Sequence, residues 1–280
     1  MPRRTIARSV EITGTGLHTG AAVGLRLEPA GLGQGIVFER RDLGLGRPIS
    51  ARLDQVAAIE RRTALRNGAH RADTVEHLLA ALYALGIDDL VVALNGPEVP
   101  IFDGSFTPFV ALVDQAGRLE RPGLVSRARI TSPLRVTEGE AQYLVQPCVD
   151  LELCVTLDYT EPVIGHQVVE LTVTSDNFRR EVQGARTYGS LQEAEPLRAR
   201  GLIGGATSDC AILLDEVSVV NTTLRWPDEF ARHKAGDLIG DLALIGARLG
   251  ARVEAFCPGH RGNLACARAI ARVARFTEEG

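Results

Sequence analysis

The sequence lacks cysteine pairs and an excess of basic residues, and each absence narrows the range of functions. Its five cysteines form no Cys-x-x-Cys pair, which favours free thiols in a reducing compartment and argues against a structural zinc knot. The net charge of −4 gives no electrostatic basis for binding nucleic acid. If the chain binds a metal ion, we therefore expect histidine and aspartate ligands.

Long apolar segments are also missing. The longest apolar run, residues 78–85, is roughly half of what a membrane span requires and is typical of a core helix. The N-terminus, Met1-Pro2-Arg3-Arg4, is followed by polar alternation and not by the apolar region of a signal peptide. We therefore expect a cytoplasmic protein without a membrane span.

The pattern of strands and helices predicts an α+β fold. With 280 residues, 45% of them apolar, the chain is long enough for two domains. We predict similar domains at residues 1–121 and 125–280, each a layered sandwich of β-sheet and α-helix. Residues 118–125 are interpreted as the linker, and the active site is expected at the interface between the two domains.

Four local predictions bear on this organisation. Residues 6–12 are expected to form one strand and residues 263–276 a closing helix. Thr107 is predicted to cap a helix that has Pro108 at its first position. His18 and His70 lie in turn-like segments, where a surface or hydrogen-bonded role is favoured over a metal ligand.

The segment from Arg232 to Leu242 places a histidine and aspartates on one predicted helix, with Pro227 near its first turn and Gly250 at its far end. His233 and Asp237 are four residues apart and therefore project from one face, where they can bind one divalent ion. Ordinary surface residues on a solvated helix face are equally compatible with this segment alone.

The adjacent residues Glu76 and His77 form a second pair with chemical potential. One can bind a metal ion while the other stands beside a bound water, as in metal hydrolases. The alternative is structural, because Asp73-x-x-Glu76 has the spacing of a capping box. His77 would then be a buried, hydrogen-bonded histidine.

A third element is His260, in Gly259-His260-Arg261-Gly262-Asn263 between a predicted strand and the last helix. A histidine on such a loop is well placed to act as an acid. The alternative is that it caps the last helix.

Taken together, these elements resemble the zinc-dependent UDP-3-O-acyl-N-acetylglucosamine deacetylases of lipid A biosynthesis. The resemblance extends over nearly the whole chain. It is carried by residues 16–20, 74–82 with 86–89, 100–105 with 108–110, 185–189, and 232–242, and by Gly259, His260 and Asn263.

The resemblance implies a metal centre with one open position. His77, His233 and Asp237 match the family's metal ligands, and the implied ion is Zn²⁺, with Fe²⁺ compatible with the same ligands. Glu76 matches the general base.

The resemblance also implies the residues around that centre. His260 matches the general acid, and Asp241 matches the aspartate that orients it. Thr187 matches a hydroxyl that stabilises the oxyanion. Lys234 matches a substrate-contacting lysine, and Tyr188 takes the place of an aromatic residue near the sugar.

The implied reaction removes the N-acetyl group of UDP-3-O-(3-hydroxyacyl)-N-acetylglucosamine and releases acetate, the committed step of lipid A biosynthesis. The implied partner is this substrate alone, bound by a monomer. An insert at residues 188–206 would form the acyl-chain passage, although its apolar residues could equally serve helix packing. Those residues are Leu191, Leu197, Leu202 and Ile203.

The chain departs from the family pattern at Ser190 and Cys257, which bears on acyl-chain preference and nucleotide affinity. Two other functions remain open at this point: the same chemistry on another acylated sugar nucleotide, and a binding protein that keeps the fold without catalysis.

Overall fold

The computed structural model describes residues 2–44, 46–58 and 60–279, and over these residues the fold is α+β. Its helices are α1 Glu76–Ala84, α2 Thr107–Ala116, α3 Ser175–Glu181, α4 Leu191–Ala199, α5 Glu229–Ala243 and α6 His260–Val273. Its strands are β1 Pro2–Ile6, β2 Val10–Thr15, β3 Ala22–Pro29, β4 Ile36–Arg40, β5 Ile49–Ser50, β6 Val56–Ala58, β7 Ala64–Asn67, β8 His70–Ala72, β9 Leu90–Leu94, β10 Arg118–Arg129, β11 Leu134–Glu138, β12 Ala141–Pro147, β13 Leu151–Asp158, β14 His166–Thr172, β15 Tyr188–Ser190, β16 Ile212–Leu214, β17 Arg248–Phe256 and β18 Arg275–Glu279. The predicted fold class is confirmed.

Two large sheets organise the chain. The first half forms a five-stranded sheet in the order β2-β3-β9-β4-β5, whose central strand β9 is buried along its whole length. Most of the second half forms an eight-stranded sheet around β17. In β13 of that sheet buried and partly exposed residues alternate, because successive side chains point to opposite faces and only one face is fully covered.

Helices α1 and α5 pack against each other and join the two halves of the chain. Nearly all of α1 and most of α5 are buried. Helix α1 also packs against α2, whereas α5 also packs against α6 and the strands β13 and β14. The two helices that carry the predicted site residues are therefore in direct contact.

Strand β10 corrects two predictions. Residues 118–125 are not a linker, because they begin the continuous strand Arg118–Arg129. Its first part pairs with β1 and its second part with β17 and β18. Residues 6–12 are likewise not one strand, since β1 and β2 are separate and belong to different sheets.

Three helix boundaries also differ from prediction. Helix α5 ends at Ala243, and Gly250 lies within β17. Helix α6 begins at His260 and ends at Val273, so the predicted helix over residues 263–276 is displaced and is followed by strand β18. Thr107 does not cap α2 in the described structure; its hydroxyl donates to the carbonyl of Gln183 at 3.0 Å instead.

Among the described residues, no helix is both long and apolar enough to cross a membrane.

Candidate metal centre and active site

Three buried side chains from α1 and α5 form a cluster that can hold a metal ion. One ligand atom from each of His77, His233 and Asp237 lies within 4.8 Å of the other two. Oδ1 of Asp237 is 3.3 Å from Nε2 of His233 and 3.5 Å from Nε2 of His77. Two imidazoles and one carboxylate form the ligand set of a catalytic zinc site.

The atoms at the centre of this cluster fit a cation. Oδ1 of Asp237 is buried and has no hydrogen-bond partner among the described residues, a costly state for a carboxylate oxygen unless a cation neutralises it. Burial alone would raise the pKa of Asp237, but the neighbouring His233 and Lys234 hold it well below its usual value. The carboxylate is therefore charged and available to bind a metal.

His233 is held in the form that a metal ligand requires. Its Nδ1 donates to the carbonyl of Ala185 at 3.1 Å, which directs Nε2 toward Asp237. Burial lowers the pKa of His233 to about 4. The ring is therefore neutral at physiological pH, with a lone pair on the nitrogen that faces the cluster.

Glu76 faces the cluster and does not serve as a helix cap. The described residues provide no side-chain cap for α1, so the capping-box alternative is wrong. Oε2 of Glu76 accepts from the amide of Thr63 at 3.1 Å, while Oε1 is 3.6 Å from Nε2 of His260. Burial raises the pKa of Glu76, although the positive charges of the His260 and His77 imidazoles act to lower it.

His260 is the first residue of α6 and not part of the preceding loop, and Asp241 holds it in place. Its Nδ1 donates to Oδ2 of Asp241 at 2.9 Å. The Asp241 carboxylate also accepts from Thr63 Oγ1 at 2.6 Å and from Asn263 Nδ2 at 2.8 Å. Burial works to lower the pKa of His260, but the carboxylates of Asp241 and Glu76 outweigh burial and raise it to about 9.

A buried ion pair fixes the segment that carries Thr187 and Tyr188. Arg186 Nε donates to Glu229 Oε1 at 2.8 Å, and the amide of Arg186 donates to the same oxygen. Glu229 is fully buried at the start of α5. The pair therefore holds residues 185–188 beside α5, where the Ala185 carbonyl reaches His233.

Lys234 and Tyr188 lie beside the metal cluster. Nζ of Lys234 donates to Oδ2 of Asp237 at 3.1 Å and lies 5.5 Å from the centre of the Tyr188 ring. The Tyr188 ring also contacts Phe230, with their centres 4.8 Å apart. Burial lowers the pKa of Lys234, but Asp237 outweighs burial and raises it above its usual value.

Eight of the nine predicted site residues line one cavity of about 770 Å³, and the ninth is Asp241. Asp241 lies behind it and contacts His260. The lining also includes the apolar residues Leu17, Ile101 and Leu214. None of the four apolar residues expected for an acyl passage is part of the described lining, and Leu191 is 43% exposed.

His18 and His70 are outside the cavity lining as described. His18 is buried, and its Nδ1 accepts from the amide of Ile203 at 3.4 Å. This contact confirms a hydrogen-bonded role for His18. His70 is half-buried in β8.

Two features that position the site residues were not predicted from the sequence. Thr63 contacts both Glu76 and Asp241 but lies in a segment without a recognisable motif. Gly236 and Gly240 allow α1 and its neighbours to approach α5, because a Cβ at Gly236 would lie 2.1 Å from the ring of Phe106. Their four-residue spacing on α5 was a visible signal for close packing.

An α+β fold with a two-histidine, one-aspartate centre beside a buried glutamate is typical of metal-dependent hydrolases. A family model described as UDP-3-O-acyl N-acetylglycosamine deacetylase (LpxC) matches residues 3–272. The chain belongs to this family.

Curated relatives agree with this assignment, and each carries the name UDP-3-O-acyl-N-acetylglucosamine deacetylase. The protein of Myxococcus xanthus is 41% identical over 262 residues, covering 93% of this chain and 83% of the relative. The protein of Nautilia profundicola is 38% identical, with coverages of 94% and 89%. The protein of Brucella melitensis biotype 1 is 39% identical, with coverages of 96% and 94%.

Proposed function

We propose that this chain hydrolyses the N-acetyl group of UDP-3-O-(3-hydroxyacyl)-N-acetylglucosamine, giving acetate and a free amine. The relatives named above carry the name of this activity. The observation that supports it most is the buried cluster of His77, His233 and Asp237, flanked by Glu76 and His260 in one cavity. In the family this reaction is the committed step of lipid A biosynthesis.

The ion that we propose for the cluster is Zn²⁺, held by His77, His233 and Asp237. This ligand set suits zinc and also tolerates Fe²⁺. When bound, such an ion lowers the pKa of a coordinated water and polarises a carbonyl oxygen.

Glu76 is the general base in this proposal. Its Oε2 is engaged by the Thr63 amide, so Oε1 is the oxygen that is free to accept the proton of the attacking water. Burial raises the pKa of Glu76, which makes its carboxylate a stronger base than an exposed one.

His260 is the general acid. Its Nδ1 is bound to Asp241, so Nε2 carries the proton that can be donated to the leaving amine. An amine leaves an amide only when protonated, and the pKa of about 9 keeps the ring charged at physiological pH. Asp241 is the residue that orients and charges it.

Three further residues complete the site. The hydroxyl of Thr187, in the segment fixed by Arg186, donates to the developing oxyanion. Lys234 contacts the substrate, and Tyr188 lies near the sugar. The acyl chain follows the part of the cavity lined by Leu17, Ile101 and Leu214.

Acetate release from this substrate, measured after the protein is loaded with Zn²⁺ or with Fe²⁺, tests the proposal. We expect release with the acylated sugar nucleotide and much less with UDP-N-acetylglucosamine, which lacks the acyl chain. Equal rates on both substrates would favour action on another sugar nucleotide. Binding without any acetate release would favour a protein that has lost catalysis.

A further inference from the structure

One side of the cavity carries, beside the general acid His260, residues that the proposed chemistry does not use. The turn at residues 138–141, the loop at residues 159–164 and residues 257–262 lie together, because β11, β12, β13 and β17 are neighbours in the large sheet and these segments adjoin their ends. Members of all three segments line the cavity. We call residues 138–141, 159–164 and 257–262 the sheet-end lip.

The sheet-end lip is acidic. Glu138, Glu140 and Glu161 all line the cavity there. The sequence of the three segments contains a single lysine or arginine, Arg261. Besides the general acid His260, a substrate that carries a diphosphate would therefore meet three glutamates and one permanent positive charge, Arg261, on this side.

Arg261 is available to bind an anion. Its side chain is 79% exposed, and its ion pair with Glu138 is long, with Nε 3.7 Å from Oε1 of that residue. That distance is too long for a hydrogen bond. By contrast, Arg61 makes two hydrogen bonds to Glu193, and Lys234 is bound to Asp237.

The backbone at the start of α6 also favours an anion beside Arg261. Arg261 is the second residue of α6, whose N-cap Gly259 provides no side-chain acceptor within the described structure. The first turn also contains no acidic residue. The amides of this turn carry a partial positive charge that adds to the guanidinium.

We propose that Arg261 binds the diphosphate of the substrate and thereby sets the affinity for the nucleotide. This inference rests on the proposed function, because only that function supplies a diphosphate. Arginine suits the role, since its planar group can donate two parallel hydrogen bonds to phosphate oxygens. Glu138 competes for the same guanidinium and weakens nucleotide binding.

Two measurements test this role: calorimetric binding of UDP to the metal-loaded protein, and the kinetics of acetate release. We expect Arg261→Ala to weaken UDP binding and raise KM by about tenfold with little change in kcat, the effect of losing a charge-assisted contact. Arg261→Lys should restore part of the affinity. Arg272→Ala removes an exposed arginine from the other end of α6 and should change neither value.

The competing glutamate gives an independent measurement. Glu138→Gln should tighten UDP binding in the wild-type background and have a smaller effect beside Arg261→Ala, where only the direct repulsion between Glu138 and the diphosphate is removed. Equal UDP affinities of the Arg261→Ala and Arg272→Ala proteins would overturn the inference, as would a wild-type protein that does not bind UDP. If the wild type binds UDP through Arg261 but releases no acetate, the proposed function fails and the diphosphate site stands.

Discussion

Gly240 of α5 lies directly against the backbone of Glu76 in α1. A Cβ placed on Gly240 would be 2.1 Å from the carbonyl oxygen of Glu76 and 2.8 Å from its carbonyl carbon. No side chain fits at this distance, so the two helices approach as closely as they do because residue 240 is glycine. This contact brings Glu76 and His77 to His233 and Asp237.

Gly240→Ala is therefore expected to push the two helices apart. The clash is with backbone, which cannot rotate away, so we expect a loss of about 3 kcal/mol in the free energy of unfolding and weaker metal binding. Denaturant unfolding and metal titration measure these effects. Gly189→Ala is the control, because a Cβ there meets no atom within 4 Å; equal stability of the two variants would contradict the argument.

Asp241→Asn tests the origin of the charge on His260. In the wild type kcat/KM should fall as the pH rises through about 9, where the imidazolium loses its proton. Because the Asp241 carboxylate raises this pKa, its removal should move the fall toward the ordinary value of 6.5. A pH profile of kcat/KM between pH 6 and pH 10 measures the shift, and an unchanged alkaline limb would contradict it.

The raised pKa of His260 also makes the stability of the protein depend on pH. His260 binds its proton more tightly in the folded state, so it contributes stability fully below pH 6.5 and loses that contribution as the pH rises through about 9. Thermal unfolding across this range should show a smaller decline for Asp241→Asn than for the wild type.

Arg186→Met tests how the segment with Thr187 is held. Removing one partner of a buried ion pair leaves Glu229 buried without its guanidinium, so we expect a loss of roughly 3–5 kcal/mol in unfolding free energy. Arg179→Met is the matched control, since its pair with Asp114 is exposed and should contribute roughly 0–1 kcal/mol. Similar losses in both variants would mean that the buried pair does not hold this segment.

Tyr188→Phe separates the ring of Tyr188 from its hydroxyl. The hydroxyl is buried without a hydrogen-bond partner among the described residues, so its removal should not lower stability. The ring contacts with Phe230 and Lys234 remain, and kcat/KM should change little. Tyr188→Ala, which removes those contacts, should lower both stability and kcat/KM. A large rise in KM for Tyr188→Phe would mean that the substrate uses the hydroxyl.

The parts of the site that lie on one helix could be predicted from the sequence. The four-residue spacing of His233 and Asp237 fixes their common face on any helix, and both lie in the metal cluster. The side chains of the adjacent Glu76 and His77 point about 100° apart on any helix, which was equally predictable. The contact between α1 and α5 was not predictable in this manner, because the glycine spacing on α5 signals close packing but not that Gly240 meets the distant Glu76.

Strand β10 shows why other parts of the fold were misread. Its first residues are mostly exposed and lack the alternation that marks a half-buried strand. Pro122 lies within it, and proline removes a backbone donor and disfavours a central strand. Pairing with β1, which includes an irregular register between Pro2 and Arg3, stabilises the strand nonetheless. Such long-range pairing leaves no local signal.

The most direct test of the account is to measure bound metal and acetate release in the same samples of three proteins. The wild type should hold one ion per chain and release acetate. Glu76→Gln should hold the same ion and lose at least about 100-fold in kcat, because the general base is gone, whereas His233→Ala should lose the ion itself. Wild-type turnover by Glu76→Gln, or full metal content in His233→Ala, would contradict the assignment of base and ligand.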